Sequence, residues 1–96
     1  MSKPGYTYIL ASERRGTLYV GATSDLPGRV WQHKNDVVDG FTRTYGVHHL
    51  GYYEAFDDIE QAIAREKQFK NWKRDWKVEL IEDKNPDWID LYPSLF

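Results

Sequence analysis

The chain has no cysteine, which excludes disulfide bridges, thiolate zinc sites and a cysteine nucleophile and fits a reducing, cytoplasmic setting. No stretch approaches the roughly 18 apolar residues of a membrane span. The segment after Lys3 is a short, tyrosine-rich alternation, not the apolar core of a leader. There is no excess of basic charge either: 13 Lys and Arg face 15 Asp and Glu, for a net charge of −2. That argues against a domain held to nucleic acid by charge alone. Phosphate-loop and G-x-S-x-G patterns are missing as well, and the enzyme classes built on them drop out.

Aromatic residues are present in quantity. Four Trp, seven Tyr and four Phe make up 16% of 96 residues. Each ring can bury roughly 150–250 Å², so a single domain with a modest aliphatic count can still build a core. The charge is unevenly spread. Residues 65–77 hold Arg65, Lys67, Lys70, Lys73, Arg74 and Lys77 against Glu66 and Asp75, whereas residues 78–96 hold Lys84 against five acids. The basic stretch could meet phosphate; the acidic tail could not.

Tyr6 to Leu10 is rich in β-favouring residues and predicts a strand, Ser12 to Gly16 a turn, and Thr17 to Gly21 a second strand. A hairpin centred between Glu13 and Arg14 would put Tyr8 opposite Tyr19, with Tyr6 and Tyr8 on one face and Thr7 and Ile9 on the other. Thr23-Ser24-Asp25 offers helix caps and Pro27 suits a first turn, predicting a helix from Leu26 to Asn35. Asp36 to Val47 reads as a long loop and His49 to Phe56 as a third strand. Asp58 with Gln61 approximates a capping box for a helix running from Ile59 to a break at Asn71 or Trp72. Trp76, Leu80 and Ile81 continue as a further helix. The expectation is a single α/β (α+β) domain over residues 1–84, a three-stranded antiparallel sheet flanked by helices in the order β-β-α-β-α-α. Residues 85–96 would form a cap, with Trp88, Ile89 and Leu91 packing back on the domain.

Three constellations carry chemistry, each with a bland reading beside it. Tyr8 and Tyr19, followed by Gly21, are either a cross-strand aromatic pair or phenols that become useful where a cation lowers their pKa. Gly21 itself marks a bulge or a close backbone approach. Arg29 and His33, four residues apart, share a helix face; they are a solvated pair, or a phosphate fork with a proton relay beside it. Glu66 is a surface ion-pair partner of Lys70, or a carboxylate of the kind that holds Mg²⁺. His33, His48 and His49 make no metal set.

The ordered series Tyr6-Thr7-Tyr8, Tyr19-Val20-Gly21, Arg29, His33 and Glu66 resembles the GIY-YIG nuclease domain, particularly its small stand-alone bacterial members. The stretches Ala64 to Arg74 and Asn85-Pro86-Asp87-Trp88 are similar to that subgroup. Thr7 stands where the name motif has Ile or Val, and Val20 replaces its second Ile. The resemblance implies a metal-dependent endonuclease hydrolysing DNA phosphodiester bonds, linked to DNA repair or recombination. It implies Tyr8 as general base or water activator, Tyr19 as the residue orienting water or phosphate, Arg29 stabilising the charge on phosphate, and His33 assisting proton transfer. Glu66 would hold one divalent ion, Mg²⁺ or Mn²⁺, which together with Arg29 would depress the Tyr8 pKa. Gly21, Thr23, Lys70 and Lys73 would line the substrate. The expected partner is DNA, branched, nicked or single-stranded, with no membrane. Since 96 residues leave no room for a second DNA-binding module, selectivity would come from DNA structure, a homodimer or a protein partner. The alternatives are a nucleic-acid-binding or adaptor module with little activity, using Lys70, Lys73, Arg74 and Lys77, and a protein-interaction domain whose tyrosines are core.

Overall fold

A computed structural model describes residues 3–37 and 40–96. Strand β1 (Gly5–Ala11) lies in the middle of a three-stranded sheet, with β2 (Leu18–Thr23) on one side and β3 (His49–Phe56) on the other, antiparallel to both. Its central place explains its composition: Thr7, Tyr8, Ile9, Leu10 and Ala11 are all buried, so both faces of this strand must be covered.

The helices supply the cover. Helix α1 (Leu26–Lys34) starts where Asp25 accepts from the Gly28 amide, with Pro27 in its first turn. It packs Leu26 and Val30 with Tyr8, Leu10, Val47 and Leu50 on one face of the sheet. Helix α3 (Ile59–Asn71) and helix α4 (Arg74–Lys84) cover the other face, where Phe69 and Ile81 meet Ile9, Val20, Tyr52 and Trp88. Thr7 points into this second face and donates from Oγ1 to the Ala62 carbonyl at 2.7 Å, so the hydroxyl that departs from the usual motif residue ties β1 to α3.

The helix–strand order follows the expected one apart from one added short helix, and four local features differ. The hairpin turns one residue later, pairing Tyr8 with Gly21 and Leu10 with Tyr19. This moves each partner by two positions and so keeps every side chain on its expected face. The Asp36–Val47 segment contains a short helix, α2 (Phe41–Tyr45), between Gly40 and Gly46. Asp58 caps α3 by accepting from the Glu60 amide, and Gln61 only turns its own amide to the Asp58 carbonyl. In the C-terminal segment Trp88 is buried, but Ile89 is 62% exposed.

That segment is held by polar groups as well as by apolar ones. The β1–β3 register skips Gly51, so β3 carries an extra residue there. Buried Asn85 donates from Nδ2 to the Gly51 carbonyl at 3.1 Å and to the Ile89 carbonyl at 2.8 Å, and accepts from the Ile89 amide at 3.0 Å. Asp90 accepts from the Leu50 and Tyr92 amides and pairs with Lys34. A 3-10 turn, Tyr92–Leu95, follows and lays Tyr92 and Leu95 against the α1 side of the core.

Each of Asn85's three bonds is worth about 0.5–1.5 kcal/mol, and removing the amide strands a buried carbonyl. Asn85→Ala should therefore lower the unfolding free energy by about 2–3 kcal/mol in urea titrations. A loss below about 0.5 kcal/mol would show that the segment does not depend on this side chain.

Candidate active site

Tyr8 sits on the α1 face of the central strand and is 1% exposed. Its position depends on Gly21, its partner across the hairpin. A Cβ built on Gly21 would lie 2.4 Å from the Tyr8 hydroxyl oxygen and 2.5 Å from Cζ. The phenol therefore lies directly across the glycine, and any side chain there would displace it.

From there the hydroxyl reaches His33. Tyr8 Oη and His33 Nε2 are 3.2 Å apart, and His33 Nδ1 is 3.0 Å from Thr42 Oγ1. All three residues are buried. The α2 helix thus has a structural purpose that its reading as loop concealed, because it delivers Thr42 to the second nitrogen of the imidazole. Phe41 and Tyr45, an i,i+4 aromatic pair between two glycines, were the signal for that helix. Thr42 carries no such mark. Tyr19 lies diagonally across the hairpin, its ring centroid 6.4 Å from Tyr8 and 5.2 Å from His33.

Burial dominates the electrostatics. It pushes the Tyr8 phenol up to about 12, although the Arg29 guanidinium beside the hydroxyl pulls the other way; the charges of Tyr19 and Glu66 add to the rise. The expected depression of Tyr8 by Arg29 is therefore outweighed in the chain by itself. Burial also brings His33 down to about 4, with Arg29 and His48 contributing in the same direction. Both groups are neutral at pH 7. A neutral imidazole has one N–H for two hydroxyl partners, so one hydroxyl must donate to the ring while the other accepts. Arg29 can only donate, so its charge near Oη favours the arrangement in which Tyr8 donates to Nε2 and Nδ1 donates to Thr42.

Glu66, on α3, reaches this site by charge, as its effect on Tyr8 shows. Its side chain is 20% exposed and pairs with Lys70 at 3.0 Å. Among the described residues no three His, Asp or Glu side chains gather as a metal cage, and both His33 nitrogens are engaged. The donor set does not suit zinc, but one partly exposed carboxylate suits a hard cation that keeps most of its water, such as Mg²⁺ or Mn²⁺. Lys70 and Lys77 line one side of a cleft of about 340 Å³ whose floor is Leu18, Tyr19 and Val20 and whose other wall is Phe41. Thr23 is turned to local work, accepting from the Asp25 amide at 3.0 Å and donating to its carbonyl. Lys73 stands exposed at the start of α4, apart from the cleft lining.

The depressed His33 pKa has a consequence for stability. Between about pH 6.5 and pH 4 the unfolded chain binds a proton that the folded chain refuses, so the contribution is complete above pH 6.5 and is lost as pH falls. Unfolding titrations should show up to about 3 kcal/mol lost over that interval, absent in His33→Gln. A wild-type His33 ring titrating near 6.5 by NMR would contradict it.

The chain matches the GIY-YIG catalytic domain family over residues 4–79. It is 35% identical over 80 residues to a UPF0213 protein of Clostridium perfringens, covering 83% of this chain and 85% of that one. A UPF0213 protein of Bacillus licheniformis is 32% identical over 89 residues, covering 93% and 91%. The solution NMR structure of a UPF0213 protein from Bacillus halodurans superposes with a TM-score of 0.52 at 31% identity, over 84% of this chain and 85% of that one. The matched span begins just before the Tyr8 strand and ends beyond Lys77, so it takes in every residue of the constellation above. This chain is a member of the GIY-YIG family, among the small UPF0213 proteins.

Proposed function

We propose that the chain is a divalent-metal-dependent DNA endonuclease, acting in the cytoplasm on DNA structures that arise in repair or recombination. The observation that carries this reading is the buried phenol–imidazole contact between Tyr8 and His33 with a guanidinium beside it. A merely structural tyrosine would not need Gly21, Arg29 and His33 all arranged around its hydroxyl.

The pKa values constrain how the residues work. Full transfer of the proton from Tyr8, near 12, to His33, near 4, would cost on the order of 10 kcal/mol. In the chain by itself a resting phenolate is therefore a costly base. Tyr8 instead works as a relay: a proton leaves the attacking water for Oη while the phenolic proton moves to Nε2. The water oxygen forms its bond to phosphorus and the bond to the leaving oxygen breaks. Arg29 is fixed by its bond to Gln32 Oε1 at 3.1 Å and offers preorganised charge to the phosphate oxygens. Tyr19 orients the water or phosphate above the relay, Gly21 keeps the floor open, and Lys70 contacts the DNA backbone from the cleft. Thr23 and Lys73 would touch substrate only at its margins. Glu66 would hold Mg²⁺ or Mn²⁺, which when bound supplies Lewis-acid charge at the leaving oxygen.

A second reading, a DNA-binding module without activity, is favoured by one observation: Glu66 is already paired with Lys70, and a neutralised carboxylate attracts a cation less.

Cleavage of single-stranded, duplex, nicked and branched DNA in Mg²⁺ or Mn²⁺ separates the two. The endonuclease should cut at least one substrate, lose that activity in Glu66→Ala, and slow by about 10²–10⁴-fold in Tyr8→Phe with DNA binding unchanged. Binding without cutting on every substrate would establish the second reading instead.

A further inference from the structure

We infer that Phe41 and Tyr45 form a stacking platform for unpaired bases, which directs the site to single-stranded DNA. This rests on the endonuclease reading and names the substrate it would take. The two rings are 46% and 56% exposed and lie 4.7 Å apart, with Tyr19 6.3 Å from Phe41 and His33 5.2 Å from Tyr19. A line of rings thus runs from the buried imidazole to the surface. Core packing does not account for its outer end, where two large aromatics remain half in water.

The opposite wall of the cleft identifies the partner. Lys77 and Lys70, the latter paired with Glu66, face Phe41 across the strand β2 floor, and among the described residues no acidic side chain is in that lining. Aromatic faces on one side and cations on the other match a single strand, whose bases offer π-faces and whose phosphates track the charge. A duplex hides its base faces and offers only edges. Its binding would have to come from charge, and a chain of net charge −2 has little to spare for that. The platform is also coupled to the chemistry. Phe41 precedes Thr42, whose hydroxyl lies against His33, so a base stacked on α2 bears on the helix that holds the imidazole.

The test measures binding separately from cutting. Fluorescence anisotropy of labelled oligothymidine and of a labelled duplex is recorded in EDTA at low salt, using the full chain. Single strand should bind about tenfold or more tightly than duplex. Phe41→Leu, which keeps an apolar side chain against Tyr19, should lose about tenfold of that affinity with little effect on duplex, and Phe41→Trp should retain it. Tyr45→Leu, further from the core, should act in the same direction with less risk to folding. Equal affinity for both DNAs, or Leu variants that bind single strand like wild type, overturns the platform. Cutting of duplex by a chain indifferent to Phe41→Leu would leave the nuclease standing and remove this inference. Single-strand binding that depends on Phe41, in a chain that cuts nothing, would leave the platform and remove the nuclease.

Discussion

Tyr8 lies across Gly21, and much of the molecule can be read as what that crossing demands. A phenol on the central strand has neighbours on both sides, and only a residue without a Cβ leaves room for its ring to extend toward the β2 edge. That direction brings Oη to His33 on α1 and within reach of the charges of Arg29 and Glu66. The antiparallel register is therefore more than a stabilising device. A slip of a single residue would turn Tyr8 to the α3 face, where Ile9 and Phe69 now pack, and the site would disappear.

Around that crossing the two faces of the sheet have different tasks. The α3 and α4 side is apolar, closed by Phe69, Ile81 and Trp88. The α1 side begins as core at Val30 and Leu50 and becomes polar toward the β2 edge. Burial on that side is deep enough to keep both Tyr8 and His33 neutral. A neutral relay costs little to desolvate and leaves Arg29 as the cation at its edge. Charge separation is deferred until substrate brings its own charge. Glu66 and Lys70 follow the same logic on α3, each balancing the other.

Much of this was legible in the sequence because it is periodic or chemically forced. The third strand starts and ends where the β-favouring run from His49 to Phe56 does, and the first long helix begins after Asp25 with Pro27 inside it. The meeting of Tyr8, Tyr19, Arg29 and His33 follows from a hairpin and one helix face, both readable. What escaped is what tertiary contact decides. The turn residue of the hairpin is set by side chains across the whole sheet, so the Tyr8–Gly21 pairing was missed by two positions. Thr42 is an unremarkable threonine until α2 folds over His33. Ile89 looked like core, but the Asn85 bonds fix its backbone and leave its side chain in solvent. Burial raises the Tyr8 phenol in the chain by itself, and that depth of burial cannot be read from a list of neighbours.

The most direct test of the account is a double-mutant cycle on cleavage rate with Gly21→Ala and Tyr8→Phe, folding being checked by thermal melts. If the glycine exists to let the phenol reach His33, Gly21→Ala alone should cost about as much as Tyr8→Phe, about 10²–10⁴-fold. The double variant should then be no slower than either single one. Wild-type cleavage by Gly21→Ala, or losses that multiply in the double variant, would contradict the claim that this crossing organises the site.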